Sequence, residues 1–449
     1  MPYMIWNLKM YSDFDGFGLY RQSEGNAAGR SLLPSYSRRL PHILQGEGII
    51  LSLTELALRR AGASDLRQFQ SREGLVPSGR EDVLTMQRLA PYLLGYERYM
   101  VKPGDTYYKI AREYGTTVRA IQTANPAQDP RRLRVGQYLV VPFGFPVVPD
   151  DIPFTSELLD LCVRGLTARY PFITRRTIAT TAYGRPVTAL KIGTGRRSIL
   201  YNASHHANEW ITTPVLMRFL EEYAEAVMNG GTIYSLDAPS LLRDTQLWLV
   251  PMVNPDGVDL VTGAIEPGSD EYEAARLIAA FFPAIPFPDG WKANLRGVDL
   301  NLNYPAGWEQ ALENKFALGF TRPAPRDFVG YAPLDQPETA AMAELTRQVN
   351  PRLTLSYHTQ GEVIYWKFLD LTPPDAQAIG EEFARVSGYA LEDTPYASGF
   401  AGYKDWFIQD FDRPGYTIEA GLGESPLPMS QFSSIYAKNL GILALGLVL

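Results

Sequence analysis

Four short apolar runs constrain this chain most: SILYNA (198–203), QLWLVPMV (246–253), LTLSYH (353–358) and GYTIEAG (415–421). Each has the length of one strand and the apolar content of a strand covered on both faces. A sheet buried on both sides needs helices above and below it. PVLMRFLEEYAEAVM (214–228) and QPETAAMAELTRQV (336–349) supply them, with apolar residues at helical spacing. Residues 151–449 are therefore expected to form one α/β domain, a mixed central sheet flanked by helices.

The chain has 449 residues, enough for two or three domains. Two smaller units are expected ahead of the α/β region. The first covers residues 1–95. After an irregular start of about 40 residues, GIILSLTELALRRAG (48–62) has helical periodicity and ends at glycine. Residues 66–89 then predict a helix, a loop and a second helix. Arg67-Gln68-Phe69-Gln70 followed by Gly74-Leu75-Val76 resembles the small helical peptidoglycan-binding domains, without their upstream glycine-rich signature.

The second unit covers residues 96–143. A short strand precedes Pro103-Gly104-Asp105, and Thr106 is placed to cap the helix YYKIAREYG. A second helix ends at Asn125-Pro126, and QYLVVP (137–142) closes a strand–helix–helix–strand unit. This segment resembles the LysM module, a small α+β domain, from its V-x-x-G-D-T opening to its L-x-V-G-Q-x-L-x-V-P close. The resemblance implies binding to chitin or peptidoglycan glycan chains. Residues 143–153 carry three prolines in eleven positions and predict an extended linker.

Composition narrows the chemistry. The net charge of −7 argues against a nucleic-acid partner. Cys162 is the single cysteine, so neither an internal disulfide nor a cysteine-rich zinc site is available. A metal site must draw on carboxylates and the four histidines. No run reaches the roughly 18 apolar residues of a membrane span. The first 20 residues lack the basic start and apolar core of a secretory signal. A cytoplasmic or spore- or wall-associated protein is the expectation.

HHANEW (205–210) directly follows the first apolar run and sets His206 and Glu209 three residues apart, facing one way on a helical turn or tight loop. Imidazole and carboxylate are both good zinc ligands, and a catalytic zinc takes three protein ligands and an open position. His358 ends the third apolar run, and Glu419 lies near the end of the fourth. Sites in open α/β sheets form outside the carboxyl ends of strands.

HANEW, NPDG (254–257), GVDLNLN (297–303), SYHT (356–359) and YTIEAG (416–421) stand in the order and spacing of the zinc carboxypeptidase family, and the chain resembles that family over nearly all of 151–449. The resemblance implies one zinc per catalytic domain, held by His206, Glu209 and His358. It implies that Glu419 takes a proton from the attacking water and returns it to the leaving amine. Asp299 corresponds to the carboxylate that orients the first histidine. Lys292 occupies the position of the oxyanion-stabilising arginine, with Arg296 the alternative. Tyr396 corresponds to the flexible-loop tyrosine, with Tyr403 also open. His205 matches no family role, and His42 reads as structural or exposed.

Three departures bear on substrate. Carboxypeptidases grip a terminal carboxylate with an Asn-Arg pair, but here Asn301 is followed by Leu302. Asn208 replaces a second family arginine. Lys404 falls at the family's side-chain specificity position, where a cation suits a second substrate carboxylate such as that of meso-diaminopimelate. With the wall-binding modules, this resembles the bacterial γ-D-glutamyl-L-diamino-acid endopeptidases. The resemblance implies action on peptidoglycan stem peptides in wall turnover or sporulation. A zinc carboxypeptidase acting on peptide C-termini and an inactive wall-binding protein remain as alternatives, and the oligomeric state is left open.

Overall fold

A computed structural model of the chain describes residues 52–449. The irregular start, the first residues of the helix expected from residue 48 and His42 lie outside the described residues. Three helices come first: α1 (Leu53–Arg60), α2 (Leu66–Arg72) and α3 (Val83–Leu94). Their starts follow from capping. Ser52 and Glu55 form a reciprocal box at α1, and Asp65 and Asp82 accept from the first turns of α2 and α3. Gly95, at φ 76°, ends α3 in the left-handed conformation that glycine adopts without strain.

Strand β1 (Tyr96–Met100) follows at once, then α4 (Tyr107–Glu113), α5 (Val118–Ala124) and β2 (Tyr138–Pro142). The strands pair antiparallel, Tyr96 opposite Pro142. Tyr99, Ile110, Ile121 and Val141 are in the core between strands and helices. Asn125 ties them together: its Nδ2 donates to the Ile121 and Val140 carbonyls, both at 2.7 Å, and its Oδ1 accepts from Val140 N–H.

The segment expected as an extended linker is a packed strap instead. Val147, Val148, Ile152 and Phe154 are buried. Its backbone amides at Val147 and Val148 donate to the two oxygens of buried Glu221, at 2.6 and 2.9 Å. Arg60 donates to the Pro146 and Val147 carbonyls, and Arg169 to that of Phe145. The proline count predicted an extended path and says nothing of what that path packs against. The apolar residues between them are what the fold uses.

Helix α6 (Ser156–Arg169) leads into an eight-stranded sheet. Its strands are β3 (Ile173–Thr180), β4 (Pro186–Ile192), β5 (Arg197–Ala203), β6 (Thr245–Val250), β7 (Leu353–His358), β8 (Val363–Tyr365), β9 (Ala390–Glu392) and β10 (Gly415–Glu419). The order is β9-β8-β10-β7-β5-β6-β4-β3. The central four, β10, β7, β5 and β6, run parallel, and β4 and β8 join them antiparallel on either side. Long helices cover the sheet, among them α7 (Thr212–Asn229), α8 (Pro337–Val349), α9 (Tyr403–Phe411) and α10 (Phe432–Leu445). Helices α3 and α5 pack on α6, and α5 also on α7. No residue of 52–142 lines the cavity described next.

Candidate active site

Because β10, β7 and β5 are parallel neighbours, their carboxyl ends lie side by side. His358, the last residue of β7, stands in register with Glu419, the last residue of β10, and Ala203 ends β5 opposite Tyr357. Just past β5, Ser204 adopts φ 52°, a left-handed turn. Its hydroxyl is held by Thr212 and Thr213 at 3.0 and 2.8 Å. The turn carries the chain into a single 3₁₀ turn, Ala207–Glu209, which puts His206 and Glu209 on one side.

The donors of His206, Glu209 and His358 converge. The Nδ1 atoms of the two histidines are 3.2 Å apart, and each is 2.9 Å from one oxygen of Glu209. Tetrahedral zinc bound at about 2.0–2.1 Å spaces its ligands about 3.3 Å apart, so the donor set fits such an ion. His206 Nε2 meets Asp299 Oδ1 at 3.1 Å, leaving Nδ1 for the centre. Among the described residues, this is the one cluster of His, Cys, Asp and Glu that is spaced for a metal.

The charges around the centre are strongly coupled. Burial opposes ionisation of Glu209, yet His206, Lys292 and His358 hold its carboxyl well below the usual range. Asp299 is likewise low: burial opposes its ionisation, but His206, the Asp327 amide and Lys292 together outweigh it. Glu419 moves the other way. Burial and then the charge of Glu209 push it up to about 8. A carboxylate poised so high takes up a proton readily.

A cavity of about 240 Å³ opens onto these groups. Lys292 lines it, with Nζ 2.9 Å from Glu209 Oε1. Arg296 does not line it. It is exposed beyond a turn closed by the Gly297 amide on the Asn294 carbonyl. Asn301 and Leu302 line it, with the Asn301 side-chain oxygen accepting from Tyr403 N–H. Lys404 lines it and is nearly enclosed, its Nζ donating to the Lys367 carbonyl at 2.6 Å and facing Asp405 at 2.5 Å. Tyr396 is 64 % exposed, between cavity residues Pro395 and Ser398. Tyr403 is buried and bonds Thr346, away from the cavity. His205 is buried too, bonded to the Tyr304 hydroxyl at 3.0 Å.

NPDG acts as a brace that its sequence does not reveal. Asn254 Nδ2 donates to the His205 and Ala293 carbonyls, at 3.1 and 3.0 Å, joining the ligand turn to the segment carrying Lys292. A Cβ on Gly257 would come within 2.6 Å of the Ala293 carbonyl, so glycine is needed for that approach. Tyr365, Lys315, Arg326 and Asp327 also line the cavity, although no motif marks them.

Comparison with known proteins adds findings of three kinds. The family described as zinc carboxypeptidase matches residues 161–440, and the LysM domain matches 99–142. Gamma-D-glutamyl-L-diamino acid endopeptidase 1 of Lysinibacillus sphaericus is 50% identical over 287 residues, 64% of this chain and 70% of its own. The uncharacterized protein YqgT of Bacillus subtilis (strain 168) is 36% identical over 339 residues, 75% of this chain and 86% of its own. Among solved structures, bovine thrombin-activatable fibrinolysis inhibitor superposes with a TM-score of 0.50 at 16% identity, over 66% of this chain and 97% of that one. That likeness concerns the fold.

Proposed function

This chain belongs to the zinc carboxypeptidase family, and we propose that it hydrolyses peptidoglycan stem peptides at the amide between γ-D-glutamate and a diamino acid such as meso-diaminopimelate. One observation carries the choice of bond. The cavity beside the metal-binding triad has Leu302 in place of a carboxylate-gripping arginine, while Lys404 faces it as a buried cation. The 50% identity to an endopeptidase named for that bond supports it, as does the LysM domain for anchorage on wall glycan.

His206, Glu209 and His358 would hold one zinc ion. Zinc bound there supplies a Lewis acid that polarises the scissile carbonyl and acidifies water. The remaining steps belong to side chains. Asp299 accepts from His206 Nε2 and fixes the ring so that Nδ1 faces the centre. Glu419 removes a proton from the attacking water and delivers it to the departing amine. Lys292 sets a point charge beside the developing oxyanion. Lys404, whose Nζ is held by Lys367, Thr394 and Asp405, exchanges its Asp405 partner for the side-chain carboxylate of the diamino acid, and Asn301 borders that subsite. Tyr396, on the rim, closes over bound substrate.

The test uses L-Ala-γ-D-Glu-meso-diaminopimelate and blocked dipeptides with free C-termini, with products identified by mass spectrometry. Release of L-Ala-D-Glu from the tripeptide is the expected result. Trimming of the blocked dipeptides alone overturns the assignment.

A further inference from the structure

Four cations line the cavity, and three have their charged ends engaged by carboxylates: Lys292 by Glu209, Lys315 by Asp327, and Lys404 by Asp405. Arg326 differs. Its Nε pairs with Asp327 at 2.7 Å, while Nη1 and Nη2 make no hydrogen bond to the described residues. A guanidinium held at Nε keeps its outer fork free for bidentate binding of a carboxylate.

The loop that carries it is built to stay put. The Pro325 carbonyl accepts from Lys292 and Ala293 N–H, at 2.7 and 2.9 Å. Asp327 sits at φ 66°, in the left-handed region, and its N–H donates to Asp299 Oδ2 at 3.1 Å. The carboxylate that orients His206 therefore also fixes the residue next to Arg326. Lys315, 2.6 Å from the other oxygen of Asp327, completes the support.

We propose that Arg326 binds a substrate carboxylate on the acyl side of the scissile bond. This rests on the assigned substrate, whose chemistry calls for such a partner. In a γ-linked D-glutamyl residue the chain runs through the side-chain carboxyl, which leaves the α-carboxylate free on the acyl side. Arg326 is tied through Pro325 to Lys292, the cation at the carbonyl, whereas Lys404 is anchored on Lys367 and Thr394 for the leaving side. The substrate thus meets one cation on each side of the bond.

The experiment pairs two tripeptides, one with D-glutamate and one with its α-carboxamide, against wild type, Arg326→Gln and Arg326→Lys. Arg326→Gln should lower kcat/KM on the carboxylate substrate by roughly 10- to 150-fold, the range for a hydrogen bond to a charged group. On the carboxamide it should change by less than about threefold, and Arg326→Lys should recover part of the loss. Equal losses on both substrates in both variants overturn the proposal. Binding of L-Ala-γ-D-Glu and its α-amide to zinc-loaded Glu419→Gln protein, with and without Arg326→Gln, provides a readout without turnover. If wild type leaves the γ-D-glutamyl bond intact, the assigned bond fails. The binding comparison still decides the fork, because equal affinity for the two dipeptides rejects it.

Discussion

Asp299 Oδ1 lies 3.1 Å from His206 Nε2, and the other oxygen of the same carboxylate accepts from Asp327 N–H. One buried carboxylate thus bonds both a candidate ligand histidine and the loop bearing Arg326. Asp299→Asn keeps the size of the side chain but removes its charge, so the preference for Nε2–H and a bare Nδ1 is lost. Zinc affinity should fall by about 10- to 100-fold, measured by competition with a chromogenic chelator. Unchanged affinity would show that His206 is oriented by other means.

Glu419→Gln should retain near-stoichiometric zinc and lose turnover by about 10²–10⁴-fold, because an amide can neither accept nor return the proton. Metal analysis and single-turnover kinetics on the tripeptide check this together. A wild-type rate in the variant removes Glu419 from the mechanism.

Metal removal should make stability depend on pH with a definite sign. Burial alone would lower the pKa of His206, but Glu209 and Asp299 more than offset it and raise it to about 9. Its contribution is complete below the unfolded value of about 6.5 and is lost as pH climbs through the folded value. Glu419, raised to about 8 by burial and Glu209, acts in the same direction. The folded chain holds a proton that an unfolded chain releases near pH 4.3. Burial also raises Glu157 and Glu338, to about 7, so their losses are largely over by then. Chelated protein should therefore melt at progressively lower temperature between about pH 7 and 9. Zinc-loaded protein, whose histidines are already deprotonated by coordination, should lose the His206 part of that decline and melt over a narrower range of temperatures across these pH values. A metal-free melting temperature that rises over this range contradicts the charge arrangement around His206.

The grouping of the candidate residues was legible where they sit on strand ends. His358 and Glu419 close apolar runs, and the parallel order of β10, β7 and β5 brings those ends together, so strand position and site position coincide. Lys292 and Arg296 could not be separated by sequence because a turn, with Gly297 at φ 74°, sets which of them lines the cavity. Arg326 was hidden for a different reason. It lies in an aperiodic, proline-containing loop whose place depends on hydrogen bonds to residues 292, 293 and 299, far away in the chain. Tyr365 pairs with Thr417 on a three-residue strand too short for its pattern to stand out.

The strap supports a last prediction. Glu221 is buried on α7 and receives two backbone amides of the strap, with Arg169 3.9 Å from one of its oxygens. Burial raises its pKa, so the site holds a costly charge that is offset only by those partners. Glu221→Gln puts an amide group opposite one of the two N–H donors, leaving a buried donor unsatisfied. The loss should be about 1–3 kcal/mol. It should fall first on the strap and the helices it anchors, because α3 and α5 pack on α6 beside it. Limited proteolysis should then cut within residues 143–153 in the variant while wild type resists under the same conditions. Peptidase activity on a soluble tripeptide should persist after the cut, since no cavity residue comes from the described residues before the strap. Equal resistance of the two proteins would mean that Glu221 does not hold the strap in place.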